Sequence, residues 1–162
     1  GWAVRYWNAL EMAYTRAIRN KGTEYSAGRV TYMFDGQHLW YALPSGRILC
    51  YPFAKIEEEG VTYAKASWKP EAKAESWPRA RLWKGLAAEN ICQAAANDVL
   101  RATLRSVSDC VLHVHDEVVV ECPAGEAEER QEALRRVMVT PPTWATGLPL
   151  DVEIHAMRRY GK

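Results

Sequence analysis

An α+β fold with a mainly antiparallel sheet is what this sequence predicts, on three observations. Helical periodicity runs through residues 2–20, 79–106 and 125–138. Short β-branched and aromatic runs are joined by tight turn signals, and two more such runs flank a polar tripeptide at residues 115–117.

The elements follow in order. Over residues 2–20, Val4, Trp7, Leu10, Tyr14 and Ile18 recur at three- and four-residue steps, and Lys21-Gly22 ends the helix. Residues 30–34 are β-branched and aromatic, Asp35-Gly36 is a hairpin turn signal, and residues 38–43 resume strand composition. Pro44-Ser45-Gly46 makes a second turn, residues 47–51 add a third strand to the meander, and Pro52 stops it. Residues 55–76 mix Glu57-Glu58-Glu59, several Lys, Gly60 and Pro70 without periodicity, which predicts an extended surface connection.

The longest helix is expected over residues 79–106, with Leu82, Leu86, Ile91, Ala95, Val99 and Leu104 as its apolar side. Residues 111–114 and 118–121 then predict a tight hairpin with His115, Asp116 and Glu117 at its tip. Residues 125–138 are acidic first and basic last, as a helix dipole favours, and Pro141-Pro142 terminates them. A loop at 144–149 and a closing strand at 150–154 complete the chain.

Composition sets the bounds. With 162 residues, 48% of them hydrophobic, the chain can bury one sizeable core. A formal net charge of +1 neither announces nor excludes a nucleic-acid partner. No apolar run approaches the ~18–20 residues that span a bilayer, so the protein reads as soluble and without a membrane partner. Cys50, Cys92, Cys110 and Cys122 form no C-x-x-C pair and read as buried free thiols in a reduced, cytoplasmic setting. The chain enters helical periodicity directly at Gly1, with neither Met nor a capping residue ahead, which predicts a cut inside a longer polypeptide.

The chemistry concentrates at the second hairpin. Phosphoryl and nucleotidyl transfer needs carboxylates that hold divalent ions near the attacking and leaving oxygens, and a hairpin tip projects an Asp rigidly; Asp116 is placed that way. Taken alone, the tripeptide reads more readily as a solvated turn. His113 and His115 share one strand face, but no second pair completes a tetrahedral zinc set. A Ser-His-Asp hydrolase lacks its G-x-S-x-G elbow.

The flanking text decides between these readings. The segment at 111–121, an apolar strand, then His115-Asp116-Glu117, then another apolar strand, resembles the last polymerase motif of family A DNA polymerases. Upstream, Glu89-Asn90-Ile91-Cys92-Gln93 and Asn97-Asp98 resemble the helix that this family places against primer–template DNA, most closely in its phage-type branch. Leu43-Pro44-Ser45-Gly46-Arg47 and Leu148-Pro149-Leu150-Asp151 extend the resemblance along nearly the whole chain. Three positions depart from it: many members carry Asn and Arg where this chain has Glu89 and Gly85, and Asn97 replaces an Arg common in phage-type members.

The resemblance implies that residues 1–78 end a fingers-like region with connecting hairpins and that residues 79–162 are the C-terminal portion of a palm. It implies a catalytic Asp116 that binds Mg2+, Glu117 and His115 beside it, and partners in primer–template DNA, deoxynucleoside triphosphates and the N-terminal remainder of the polymerase. Asn90, Gln93, Asn97 and Arg101 fall at three- and four-residue steps on the long helix, and their donors and acceptors suit minor-groove edges, which are nearly alike for every base pair. Arg47 is expected at a phosphate. The family's first palm motif and its nucleotide-binding fingers helix have no counterpart here, so the isolated chain is expected to be inactive. The alternatives are a non-catalytic DNA-binding or interaction module and a metal-dependent nuclease using Asp116 and Glu117.

Overall fold

The computed structural model describes residues 1–66, 73 and 76–161. The described residues form helices α1 (Trp2–Arg19), α2 (Lys84–Ser106) and α3 (Ala127–Val139). The strands are β1 (Tyr25–Ala27), β2 (Val30–Phe34), β3 (Leu39–Ala42), β4 (Ile48–Tyr51), β5 (Lys55–Glu57), β6 (Gly60–Ala64), β7 (Arg79–Arg81), β8 (Cys110–Val114) and β9 (Glu117–Val120). Every strand pair among them is antiparallel, so the fold is α+β. The chain divides into two compact units, Gly1–Ala95 and Ala96–Lys162, and the division falls inside α2.

In the first unit α1 buries Leu10, Ala13, Tyr14 and Ala17, a stripe at three- and four-residue steps, and ends where the Asn20 side chain donates to the Arg16 carbonyl at 2.9 Å. Val4 and Trp7, expected on that stripe, are exposed. Small Ala13 and Ala17 bring the helix close to the sheet, and the apolar face rotates toward them.

Strands β1 to β4 form a meander in sequence order. The turn between β2 and β3 is held by Asp35, whose Oδ1 accepts from the Gln37 and His38 backbone N–H groups and whose Oδ2 accepts from the Trp40 indole, each at 2.7 Å. Burial pushes this carboxyl up, but the hydrogen bonds outweigh that and hold it down at about 2. A depressed carboxyl contributes stability above its ordinary value of 3.8 and loses it as pH falls toward about 2. Asp35→Ala is therefore expected to cost about 1 kcal/mol at neutral pH, a modest figure because the group is exposed. Urea melts should show the difference from wild type closing near pH 2.

The core of this unit is built on tyrosines. Tyr14 of α1 meets Tyr32 of β2 edge-on with ring centroids 5.9 Å apart, Tyr32 lies 5.9 Å from Tyr41, Tyr41 stacks on Tyr51 at 5.1 Å, and Tyr51 meets Tyr63 of β6 at 4.9 Å. Such pairs contribute roughly 0.5–1.5 kcal/mol each beyond burial. Leu10, Val30, Leu39 and Leu82 fill the space around the rings.

The structure corrects several expectations. The supposed surface connection contains the β5–β6 hairpin, which turns at Glu58-Glu59 and continues through Gly60 at φ +117°; residues 67–72 and 74–75 of that stretch lie outside the described residues. The long helix starts at Lys84, because Arg79-Ala80-Arg81 pairs with Thr62, Tyr63 and Ala64 as β7. Of the expected apolar side, Ile91 is buried, as is Leu82 just ahead of the helix, whereas Leu86, Ala95, Val99 and Leu104 are half-buried; Ala87, Ala88, Asp98 and Thr103 are buried as well. The short β1 beside β2 was not anticipated. Cys92 and Cys122 are exposed, not buried.

In the second unit the β8–β9 hairpin carries a register irregularity between Cys110 and Leu112. Helix α3 follows a 3-10 turn at Ala124–Glu126 and is anchored by Arg130 on Asp109. Among the described residues no strand forms at 150–154. Arg135 donates to the Val152 carbonyl and to the Asp151 carboxylate, both at 2.6 Å, and the Val152 N–H is taken by Asp151 at 2.9 Å. Both ladder groups of Val152 are thus already used.

Candidate active-site hairpin and helix

The tip of the β8–β9 hairpin is a two-residue turn, His115-Asp116, because Val114 pairs directly with Glu117. Glu117 therefore belongs to the strand and not to the tip, a one-residue revision of the sequence expectation. His115 takes φ +54°, a left-handed conformation uncommon outside glycine but several-fold more accessible to His than to most side chains. Holding it turns the chain within two residues and leaves the carboxylate of Asp116 exposed at the apex.

Glu117 is half-buried and its Oε2 accepts from the Tyr160 hydroxyl at 2.8 Å. The contact distinguishes the two neighbouring carboxylates: that of Glu117 is engaged by the C-terminal segment, whereas that of Asp116 projects into solvent. Among the described residues, no three His, Cys, Asp or Glu side chains converge on a common point that could hold a metal ion.

Along α2 the exposed ridge runs through Glu89, Gln93, Asn97 and Arg101 in four-residue steps. Gln93 donates to Glu89 at 3.0 Å, and Arg101 lies 3.9 Å from the buried Asp98. Asn90 sits at the border of this ridge and not on it: half-buried, its amide donates to the Tyr51 hydroxyl at 3.0 Å. Arg47, also half-buried, donates from Nη2 to the backbone carbonyl of Ala94 at 2.7 Å. The Gly85 position is closed by its neighbour, since a Cβ there would fall 1.9 Å from the Trp83 ring. A longer side chain at residue 85 requires Trp83 to move.

Of the residues singled out in the sequence, the structure places His115 and Asp116 together at the tip, Glu117 just behind it, and Gln93, Asn97 and Arg101 along one exposed ridge. The partners Tyr160, Tyr51 and Asp98 were not anticipated. Asp98 lay within the quoted helix segment, but its burial had no signal beyond its place seven residues after Ile91.

The chain is similar to a phage DNA polymerase. It is 33% identical over 156 residues to a protein named DNA polymerase from Bacillus phage SP02, a match covering 93% of this chain and 24% of that protein. The chain therefore spans about a quarter of that relative's length. No family model and no solved structure matches it. Among the described residues, no helix is long and apolar enough to cross a membrane.

Proposed function

We propose that this chain is the C-terminal palm portion of a template-directed DNA polymerase of family A, phage type, which adds deoxynucleotides to a primer end in the cytoplasm. The observation that carries the proposal is the similarity to a phage DNA polymerase along 93% of the chain. The hairpin that presents one exposed carboxylate agrees with it. In this reading residues 1–78 end the fingers-like region and residues 79–162 belong to the palm.

An exposed Asp carboxylate is a hard oxygen donor of the kind Mg2+ takes in small number alongside substrate phosphates, so Asp116 fits that ion. Bound Mg2+ would neutralise charge on the transferring phosphoryl group. Asp116 contributes one ligand on a tip fixed by a two-residue turn, and the remaining ligands come from the rest of the polypeptide. His115 shapes the primer-terminus side of the tip. Glu117, held by Tyr160, supports the tip without competing for the ion. The ridge of Gln93, Asn97 and Arg101 meets primer–template DNA, Gln93 and Asn97 offering amides to minor-groove acceptors and Arg101 a charge to phosphate.

A transferring phosphoryl group needs a nearly complete set of charges around it, and this chain supplies one catalytic carboxylate. The pure 162-residue chain is therefore expected to leave a primed template unextended with Mg2+ and all four deoxynucleoside triphosphates present. Robust Mg2+-dependent incorporation by the chain alone would overturn the proposal, and Mg2+-dependent cleavage of DNA by it would point to a nuclease instead.

A further inference from the structure

We infer that Arg47 and Tyr51 are positioning residues for α2, fixing the rotation of the helix turn that presents Gln93, and that neither touches DNA. The inference rests on the DNA-facing reading of α2 proposed above.

Two polar contacts, one from the turn before edge strand β4 and one from the strand's last residue, reach α2 at points one helical turn apart. Arg47 grips the Ala94 carbonyl at 2.7 Å, and the Tyr51 hydroxyl accepts from Asn90 at 3.0 Å. Behind the second contact the Tyr51 ring stacks on that of Tyr41 with centroids 5.1 Å apart. Tyr41 and Tyr51 are 5% and 3% exposed, so buried rings back the Tyr51 contact, while Arg47 and Asn90 are half-buried.

The turn that carries Arg47 is held locally. Its carbonyl accepts from Leu43 N–H at 2.9 Å, its N–H meets Ser45 Oγ at 3.3 Å, and Gly46 supplies the left-handed residue that closes the turn at φ +86°.

Apolar packing of Ala87, Ala88 and Ile91 holds α2 against the sheet, but it is non-directional and tolerates rotation about the helix axis. Hydrogen bonds are directional, and two of them one turn apart fix that rotation. Residue 93 sits between the gripped residues 90 and 94, so the azimuth of Gln93 follows from the clamp.

The test is binding of primer–template DNA across a series of salt concentrations by the full polypeptide that carries this chain, with thermal melts alongside. Arg47→Met and Tyr51→Phe are each expected to weaken binding by roughly 5- to 10-fold with the salt slope unchanged, and Gln93→Ala to cost less in either background than in wild type. A slope shallower by about 0.9 for Arg47→Met, with additive effects, would make Arg47 a phosphate contact and overturn the inference. Wild-type binding by both variants would overturn it too. Tyr51→Phe keeps the stacked ring and reports on the clamp even if Arg47→Met does not fold. If Gln93→Ala alone leaves binding unchanged, the DNA-facing reading itself fails, whereas a Gln93 effect uncoupled from Arg47 and Tyr51 removes only the clamp.

Discussion

Asp116→Asn, in the polypeptide that carries this chain, is expected to lower nucleotide incorporation on the order of 10³-fold while leaving fold and DNA affinity intact. The substitution keeps the size of the side chain and removes the charge that a hard cation needs. Its carboxylate is exposed at the apex of a two-residue turn and makes no contribution to the buried core, so the fold has little reason to respond. A catalytic ion acts mainly on the transition state, so the loss belongs in kcat rather than in binding. Glu117→Gln should cost far less, because an amide still accepts from the Tyr160 hydroxyl. Single-turnover incorporation with circular dichroism and DNA-binding controls checks both variants. Equal rates for wild type and Asp116→Asn would leave the hairpin tip as a solvated turn.

Leu39→Ala should produce one of the larger losses of stability among aliphatic truncations in the first unit. Leu39 has no exposed surface, sits on the inner strand β3 opposite Phe34 and Tyr51, and belongs to the same cluster as Leu10, Tyr14 and Tyr32. Truncating a fully buried Leu costs the transfer free energy of the removed methyl groups plus the cavity left behind, about 3–4 kcal/mol here. The rigid tyrosine rings around it limit collapse, which places the value toward the upper part of the range. Urea denaturation followed by tyrosine and tryptophan fluorescence measures it; a loss under about 1 kcal/mol would mean that the aromatic cluster repacks freely.

Where turn chemistry was written into the sequence, the fold was legible. Asp35-Gly36 and Pro44-Ser45-Gly46 fixed β2, β3 and β4 to within about a residue, since each turn demands side chains that few other settings need. Elements whose composition argues against them were hidden. Glu57-Glu58-Glu59 reads as a loop, yet Glu57 pairs with Gly60 across a tight turn. Arg79-Ala80-Arg81 is made of helix formers, yet the open edge of β6 recruits it as a strand, and pairing overrides propensity.

The site divides in the same way. The apex Asp116 was legible because short β-branched runs on both sides announce a hairpin, and the exposed α2 ridge because three- and four-residue spacing announces a face. Tyr160 was not legible: it meets Glu117 across 43 residues, and no local pattern marks either as the other's partner. Asn90 was legible as a polar position on the long helix and Arg47 as a cation following a turn, and both read as DNA contacts. Only the packing of β4 shows that their hydrogen-bonding groups are turned toward Tyr51 and Ala94.

The left-handed residue at the hairpin apex narrows which sequences can occupy that turn before any reaction is considered. At φ +54°, position 115 admits glycine freely, accepts Asn, Asp or His at modest cost, and rejects Val, Ile and Thr, whose branched Cβ meets the backbone. Glycine would relax the backbone but would also let the apex sample other conformations, spreading the carboxylate of residue 116 over a wider volume. A histidine there trades some backbone comfort for a turn with fewer alternatives. In a lineage that drifts at this site, replacements at residue 115 should be sorted by backbone tolerance first and by side-chain chemistry second.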